Sequence, residues 1–310
     1  MPGTLTTPIT ANTPITRTAR ADALRPLLAG WLVLLAFTLA WDFSGLDLTV
    51  MRLIGTPAGF ALQHHPLLEH LLHDRLRQAA SVALVLAWIW ALLPSRFSAV
   101  PAPDRRLAVL LVTAGLLAVN LIKNRSATSC PWDWQLFGGT AEVVSHWAWG
   151  LRDGGPGRCF PGGHASSGMA FVALALPWLA PRHAAAPPAP ARRGWSWLAL
   201  AIAAGLLCGA VQTLRGAHPP SHTLWTLLIC GGVALAGWSL GPAGGRRSAA
   251  SPAESEAQGQ VDQHADHDGP EHAEADQQQA GRAVPEQQGA PGDGRVVEHE
   301  VAVARDQEVD

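Results

Sequence analysis

The chain has 310 residues, of which 48% are hydrophobic and 15% are charged, and its formal net charge at pH 7 is −2. No basic run is interleaved with aromatic residues, so nothing in the composition indicates a nucleic-acid partner. Apolar stretches dominate from Arg25 to Leu240, whereas Gly241 to Asp310 is rich in Gln, Glu, Asp, Gly, Pro and Ala. This division indicates a membrane-embedded body followed by a polar tail.

Six apolar segments are long enough to be candidate membrane spans. The hydrocarbon core of a bilayer is about 30 Å thick and needs roughly 20 apolar helical residues. Six segments approach that length when their flanking residues are included. We therefore predict an all-α fold, a six-span transmembrane helical bundle. The segments are Pro26–Phe43, Ala79–Leu93, Leu107–Ile122, Ser166–Ala180, Trp195–Val211 and His222–Leu240. A five-span alternative, with the fourth segment re-entrant, remains open.

The arginines of the short loops predict the orientation. Arginine groups precede the first span, separate the second from the third and the fourth from the fifth, and follow the sixth, so both termini are predicted to be cytoplasmic. Residues 1–23 form an N-terminal cytoplasmic segment, 24–240 the transmembrane domain, and 241–310 a disordered cytoplasmic tail. No cleavable signal peptide is predicted, and the first span is the expected insertion signal of a bacterial inner-membrane protein. The difference in Lys and Arg content between the two sides is reduced by eight basic residues on the predicted periplasmic side: Arg52, Arg75, Arg77, Lys123, Arg125, Arg152, Arg158 and Arg215.

The polar segment from Phe43 to Gln78 joins the first two spans. Its leucines recur at helical spacing, which predicts an amphipathic helix in the periplasmic interface. Four histidines in this segment suggest a metal site. No Cys or carboxylate set completes a recognisable ligand spacing, so we favour a surface that does not bind a metal ion. The leucines are Leu67, Leu68, Leu71 and Leu72, and the histidines are His64, His65, His70 and His73.

The four cysteines divide into two pairs. Cys208 and Cys230 lie inside predicted spans and are interpreted as small buried hydrophobic residues. Cys130 and Cys159 both lie in a predicted periplasmic loop, where disulfides persist. A Cys130–Cys159 bond is therefore one hypothesis, and two separate thiols are the alternative.

Three polar clusters fall at span ends on the predicted periplasmic side, and ionisable residues at such positions have a functional interpretation by default. The first begins at Lys123 and continues to Trp132. The second is the segment 159–166, where a Pro-Gly-Gly turn before a helix can present backbone N–H groups to an anion and His164 can exchange a proton. The third is the segment 212–222, in which His218 and His222 lie four residues apart and follow Arg215.

The order of these clusters resembles the three-part signature of the phosphatidic-acid-phosphatase type 2 and haloperoxidase superfamily: Lys-x6-Arg-Pro, Pro-Ser-Gly-His and Ser-Arg-x5-His-x3-Asp. The resemblance covers about Leu107 to Leu240, and the six-span layout is similar to that of the membrane-bound lipid phosphatase branch. Lys123 and Pro131 match the first motif. Pro161, Gly163 and His164 match the second, and His218 matches the histidine of the third.

Four positions depart from that signature. Cys130 occupies the Arg position of the first motif and Gly162 the Ser position of the second. In the third motif Gln212 stands at the Arg position and His222 at the Asp position. Arg215, about one helical turn after Gln212, is expected to restore one positive charge. A neutral His222 could accept the hydrogen bond that the family carboxylate accepts, but it stabilises an imidazolium less.

The resemblance implies a metal-independent phosphatase that acts on a lipid phosphate or diphosphate at the periplasmic face. His218 would attack phosphorus to form a phosphohistidine, and His164 would protonate the leaving group and then activate water. Lys123, Arg215 and the Gly162 and Gly163 amides would hold the phosphoryl oxygens, with Gln212 and His222 in supporting roles. No cofactor is implied. The partners are the lipid substrate and the bilayer, and the sequence indicates no oligomeric state.

Two alternatives remain at this point. The departures favour a catalytically silent relative that binds phosphate or a lipid headgroup. A membrane transporter or scaffold without a phosphate site is the other alternative.

Overall fold

The computed structural model describes residues 14–148, 150–184 and 190–241, and the fold is mostly helical. A two-stranded antiparallel hairpin, β1 (Gly55–Thr56) and β2 (Gly59–Phe60), and a π-helical segment, Leu67–Arg75, precede α3. Short 3₁₀ turns cover Ser95–Phe97, Pro131–Asp133 and Gln135–Phe137. The helices are α1 (Arg17–Phe43), α2 (Leu46–Ile54), α3 (Leu76–Leu92), α4 (Ala102–Arg125), α5 (Ser166–Leu179), α6 (Ala191–Leu214) and α7 (Pro220–Leu240).

The predicted helical fold is confirmed, and four helices are long and apolar enough to cross a bilayer: α1, α4, α6 and α7. The second and fourth predicted spans correspond to shorter apolar helices, α3 and α5. At 1.5 Å per residue, α3 is about 26 Å long and α5 about 21 Å, less than a ~30 Å hydrocarbon core. Moreover, α5 contains a 3₁₀ stretch from Ala170 to Ala175 between two α-helical turns. The structure therefore supports a membrane protein with at least four helices of spanning length.

Large apolar side chains cover the outside of the bundle. Val33 in α1 is 70% exposed, and Val85 in α3 and Leu200 in α6 are each 59% exposed. In water such a surface would be unfavourable, whereas in a bilayer the surrounding lipid is equally apolar. Outward-facing apolar residues on several helices are typical of a membrane protein.

The core of the bundle lies between α4, α5 and α7. Val112, Met169 and Trp238 are fully buried there. The indole Nε1 of Trp238 donates to the carbonyl of Ala180 at 2.7 Å, so the one polar atom of this buried ring is satisfied. This packing fixes α5 against the two helices that carry the other motif clusters.

The six long or apolar helices run between two ends of the bundle. The end that holds segments 44–75, 126–165 and 215–219 is called the site end, and the opposite end, with segments 14–16, 93–101 and 180–184, is called the tail end. At the site end Trp132 N donates to the carbonyl of Gly216 at 3.0 Å, which joins the segments that follow α4 and α6. At the tail end Asp104 Oδ1 lies 2.6 Å from His183 Nδ1. The three motif clusters all lie at the site end.

The prediction of a single amphipathic helix between Phe43 and Gln78 is wrong in part. The segment forms α2, the β1–β2 hairpin and the π-helical segment, and only the last contains the leucines that suggested a helix. Gly59 has a φ of 102° and permits the hairpin turn, which sequence periodicity does not reveal. His64 and His70 lie 3.8 Å from Glu69 and 3.6 Å from Asp74, respectively, so their carboxylate partners come from the same segment.

The contacts place the described residues in one compact unit. The predicted disordered tail, apart from Gly241, and the first 13 residues of the predicted N-terminal segment lie outside the described residues. The predicted domain boundaries therefore remain predictions.

Candidate active site

Lys123 joins the first motif cluster to the second. It lies in the last turn of α4, and its side chain passes over Gly163. A Cβ built on Gly163 would come 3.2 Å from Lys123 Cδ and 3.8 Å from Nζ, so the glycine leaves room for the lysine chain. The ammonium group therefore lies beside the turn that precedes α5.

A disulfide ties this turn to the segment after α4. Cys130 and Cys159 are bonded, with their Cα atoms 5.0 Å apart. The Cys159 N–H also donates to the carbonyl of Thr128 at 2.8 Å. The Arg position of the first motif is thus used for a covalent link that holds the start of the second cluster.

Gly162 joins the second cluster to the third. Its N–H donates to the carbonyl of His222 at 3.2 Å, and its own carbonyl accepts from Thr226 Oγ1 at 3.0 Å. This corrects the prediction that the Gly162 amide holds a phosphoryl oxygen, because that N–H is already used. The residue instead fixes the turn against the first turns of α7, where a Cβ would come 3.3 Å from the His222 carbonyl oxygen.

A tight turn after α6 places His218. Gly216 has a φ of 79°, a left-handed conformation that glycine adopts without strain. The N–H groups of Ala217 and His218 donate to the carbonyl of Gln212 at 2.8 and 3.3 Å. Gln212, predicted as a supporting residue, therefore contributes its backbone to the positioning of His218.

His218 and His222 form a buried pair of imidazoles. They are 4% and 3% exposed, and their Nδ1 atoms lie 3.5 Å apart. The Nδ1 of His218 also lies 3.2 Å from Cys159 Sγ, so both neighbours lie on the Nδ1 side of the ring. This arrangement leaves Nε2 as the nitrogen of His218 for reaction with a substrate.

Burial lowers the pKa of His218 well below its ordinary value of 6.5, and the positive charges of Lys123, His222 and His164 lower it further. At neutral pH the ring is therefore neutral and keeps a lone pair. A neutral imidazole is the form that attacks phosphorus. Two of these groups, Lys123 and His164, line one cleft at the same end of the bundle.

Arg215 does not join this group. Its Nη2 lies 3.2 Å from Glu69 Oε1, and its Nε donates to the carbonyl of Gln63 at 2.8 Å. The side chain is directed toward the π-helical segment and its approach, which corrects its predicted role as a phosphate ligand. Its guanidinium instead holds the polypeptide between β2 and α3 against the end of α6.

Comparison with protein families gives one match. The model of the PAP2 superfamily matches residues 105–245, which include all three clusters. The match supports the assignment of residues 105–245 to the PAP2 superfamily. PAP2 superfamily members are phosphoesterases, so the match supports phosphatase activity in general. Comparisons with curated proteins and with solved structures find no match for the chain.

Two departures from the PAP2 signature have a structural explanation. Cys130 is bonded to Cys159, so the lost arginine is replaced by a tether. His222 lies at the Asp position and contacts His218 through Nδ1, where a carboxylate of the signature would orient the histidine. His222 lacks the negative charge of that carboxylate.

A cleft of about 370 Å³ opens between α3, α4 and α5 beside Lys123. Arg77 and Asn120 line it, and sequence reasoning assigned neither residue to the site. Asn120 lies three residues before Lys123 on α4, a spacing that places both on one helix face and could have identified it. Arg77 lies near the start of α3 on the predicted periplasmic side, and this position is a weaker indication of a role in the site. The lining of the cleft also includes Gly163, His164, Ser166, Ser167, Leu84, Leu116 and Phe171.

A buried carboxylate near the two imidazoles was also missed. Asp42, in the last turn of α1, has a side chain only 6% exposed, and its Oδ2 lies 3.2 Å from Nε2 of His146. The ring of His146 in turn lies edge-on to His222, with centroids 5.8 Å apart. Asp42 lies outside the matched family region, so no motif pointed to it. An ionisable residue at the end of an apolar span was the available signal.

Among the described residues, one group has the composition of a metal site: Cys130, Cys159 and His218, with ligand atoms within 4.8 Å of one another. Metal-binding cysteines act as thiolates, whereas these two sulfurs are bonded to each other. The donor set therefore does not fit a metal ion in this form of the protein.

Proposed function

We propose that the chain is an integral-membrane phosphatase that hydrolyses a lipid phosphate or diphosphate at the periplasmic face through a phosphohistidine on His218. The observation that carries the proposal is the buried, neutral His218 beside Lys123 and His164 at one end of an apolar bundle. A buried histidine whose pKa is lowered by burial and by nearby positive charges is typical of functional sites.

The first half of the reaction is phosphoryl transfer to the enzyme. Nε2 of His218 forms the new P–N bond while the bond from phosphorus to the leaving oxygen breaks. His164 donates the proton that this oxygen requires. Lys123 balances negative charge on the phosphoryl oxygens, and the backbone beside Gly163 is close enough to the Lys123 ammonium to share that role.

The second half returns the enzyme to its starting state. His164, now neutral, accepts a proton from water as the water oxygen attacks phosphorus. The P–N bond breaks, phosphate leaves, and His218 recovers its lone pair. The scheme uses no cofactor or metal ion, because it assigns the stabilisation of the phosphoryl oxygens to Lys123 and the proton transfers to His164.

The cleft beside Lys123 supports an amphiphilic substrate. Its polar part contains Lys123, His164 and Arg77, and its apolar part contains Leu84, Leu116 and Phe171. A phosphate could lie at the polar part while an acyl or prenyl chain follows the apolar surfaces of α3 and α4 into the bilayer. Arg77 supplies a second positive charge in this cleft, which is suited to a second phosphate of a diphosphate substrate.

We further propose that α3 and α5 cross the membrane with the four longer helices, which gives six spans in a bacterial inner membrane. The six helices alternate in direction between the two ends, and both α1 and α7 have their outer termini at the tail end. Arg20, Arg105 and Arg182 lie at that end, which supports a cytoplasmic tail end and a periplasmic site end.

A catalytically silent relative that binds a phosphate headgroup is the second candidate. It is favoured by the replacement of both signature arginines and the signature aspartate by Cys130, Gln212 and His222. Phosphate release and phosphate binding separate the two candidates directly.

The test uses the full chain purified in detergent, with a panel of a diacyl lipid monophosphate, a polyprenyl diphosphate and a chromogenic phosphate ester, each with and without a chelator. We expect phosphate release from at least one lipid substrate in both conditions. His218→Asn should reduce release to background, and His164→Asn should reduce kcat by roughly a hundredfold to ten-thousandfold. Rapid quenching should show a phosphate adduct on the peptide that contains His218.

His70→Asn is the matched control, because the His70 side chain is 75% exposed and contacts Asp74 on the surface. This variant should retain wild-type release. Release that persists in His218→Asn would contradict the proposal. Vanadate or phosphate binding without any release would favour the silent relative.

A further inference from the structure

We propose that Asp42, acting through His146, is a positioning residue that supplies the counter-charge for the His218–His222 pair, in place of the carboxylate absent at position 222. The inference rests on the proposed function, because it assigns a role within that reaction. It concerns two residues, one on α1 outside the matched family region and one in the loop between α4 and α5.

Asp42 is held at a defined position by neutral donors. Its Oδ2 accepts from the indole Nε1 of Trp147 at 2.6 Å and from that of Trp225 at 3.3 Å. Indole N–H groups satisfy the oxygen without cancelling its charge. A carboxylate with a 6% exposed side chain at the end of an apolar helix therefore keeps a negative charge close to the site.

His146 lies between this carboxylate and the imidazole pair. Its Nε2 is 3.2 Å from Asp42 Oδ2, and its side chain is 9% exposed. The ring stacks on Phe160 with centroids 4.0 Å apart and planes 6° apart, which fixes it beside the turn that follows Cys159. Its edge-on contact with His222, at 5.8 Å between centroids, completes the row Asp42, His146, His222, His218.

The charges that reach His222 are those of His146, Lys123 and Asp42, and Asp42 is the negative one among these three. Lys123 and His164 bring positive charge to His218. Without a nearby anion, an additional positive charge on either imidazole would meet only repulsion and a poorly solvated interior. Asp42 is therefore positioned to offset the charge that the reaction creates.

The reaction creates that charge at a definite step. When Nε2 of His218 bonds to phosphorus, its electron pair enters the P–N bond and the ring becomes cationic. The proton on Nδ1 of His218 then faces Nδ1 of His222, 3.5 Å away, and is shared with it or transferred to it. The pair carries one positive charge, Asp42 balances it, and the proton returns to His218 when water breaks the P–N bond.

Asp42→Asn tests this assignment, because an asparagine keeps the shape and can still accept from the tryptophans. We expect kcat to fall roughly 10- to 100-fold, the range for outer groups that orient a reacting residue without touching the substrate. KM should stay within about twofold, since Asp42 does not touch the substrate cleft. The acid limb of the kcat–pH profile should move to lower pH, because loss of a negative charge makes protonation of the imidazole pair less favourable.

A merely structural role for Asp42 predicts a different result. It would lower the melting temperature and the amount of active enzyme without moving the acid limb. Asp42→Glu should restore part of kcat if the charge matters, and His146→Gln should give an intermediate loss. Asp47→Asn is the matched control: Asp47 accepts from Trp41 Nε1 at 2.8 Å and from Ser221 N at 3.0 Å at the same end of the bundle, and its loss should leave the acid limb in place.

A second measurement keeps the inference independent of catalysis. Histidine side chains labelled with ¹⁵N can be titrated by NMR in the full chain in micelles, and the Asp42→Asn variant should protonate its buried imidazole pair at lower pH than the wild type. An unchanged titration, or an unchanged acid limb together with kcat within twofold of wild type, would overturn the inference. Absence of phosphate release from the wild type would instead refute the proposed function, and the titration would still decide the role of Asp42.

Discussion

The His218 side chain is almost completely buried and has three positively charged or titratable neighbours. Both features favour the neutral ring. At the protein surface the ring would stay hydrated, and solvent would screen the neighbouring charges. The contact between its Nδ1 and His222 then determines which nitrogen faces the substrate. The reactivity of this residue is thus set by its surroundings more than by its place in a motif.

The lowered pKa of His218 predicts a pH effect on stability. In the unfolded chain this imidazole binds a proton near pH 6.5, whereas in the folded chain it stays neutral until a much lower pH. Between those pKa values the unfolded state binds more protons, so the free energy of unfolding contributed by His218 falls as the pH drops below 6.5. His218→Asn should therefore gain melting temperature relative to wild type as the pH is lowered from about 7.5 to about 5 in detergent.

The control for this measurement is again His70→Asn, whose side chain is exposed. Its melting temperature should follow that of the wild type across the same range. Parallel curves for His218→Asn and wild type would contradict the pKa shift.

Part of the candidate site could be predicted at the residue scale. Lys123, His164 and His218 each lie in a short segment whose spacing is visible in the sequence, and the structure brings these segments together. Arg215 and Gly162 have other partners, because spacing along a helix does not reveal which of several nearby groups a side chain or amide will contact. Asp42 lies 183 residues before Trp225, one of its contacts, and only the folded bundle reveals that pairing.

At the scale of the elements, the tail end of the bundle is fastened by a buried carboxylate. Asp104, in the first turn of α4, is fully buried and accepts from the N–H groups of Arg182 and His183 at 3.0 and 3.3 Å. Its other oxygen lies 2.6 Å from His183 Nδ1. One side chain therefore joins α4 to the segment that follows α5, on the side opposite the site.

We expect Asp104→Ala to destabilise the protein by about 3–5 kcal/mol, because it leaves buried donors of His183 and Arg182 without their acceptor. Thermal or denaturant unfolding in micelles measures the effect. Asp22→Ala is the control, since Asp22 pairs with Arg25 on an exposed helix surface and should contribute no more than about 1 kcal/mol. Equal losses in the two variants would show that the tail-end contacts are not a stabilising element.

The helices could be predicted from the sequence because hydrophobic length is a local property. The interruption of α5 and its close approach to α6 could not, because neither appears in the hydrophobic pattern of a single helix. A Cβ on Gly205 of α6 would come 3.0 Å from the Ala165 carbonyl oxygen, so the two backbones approach at a glycine. Such contacts are pairwise, and neither helix shows them in its own periodicity. The hairpin between α2 and α3 was missed for a similar reason, since β1 and β2 are too short to show alternation.

At the scale of the whole molecule, the bundle has two chemically different ends and an apolar surface between them. The site end holds the reactive imidazoles and the tail end a set of buried arginines, Arg20, Arg105 and Arg182. If the bundle crosses the membrane as proposed, the two ends face different compartments.

This orientation is testable with single introduced cysteines in bacterial cells whose inner membrane is intact. A membrane-impermeant maleimide should label Ser145→Cys at the site end, and should label Ser95→Cys at the tail end only after the inner membrane is permeabilised. Both serines are exposed. The native cysteines give a low background, because Cys208 and Cys230 are buried and the other two are bonded. Labelling of Ser95→Cys from outside would reverse the orientation.

In the proposed topology, the bond between Cys130 and Cys159 forms late in the maturation of the chain. Helices can insert and pack as soon as they leave the ribosome, but a pair of thiols becomes a disulfide only where an oxidant is supplied, and reducing compartments keep thiols apart. If the site end faces the periplasm as proposed, the loop that precedes His164 receives its disulfide only after export, and chains retained on the reducing side have the helices without this bond. Oxidation at the destination then acts as a maturation step for the proposed enzyme.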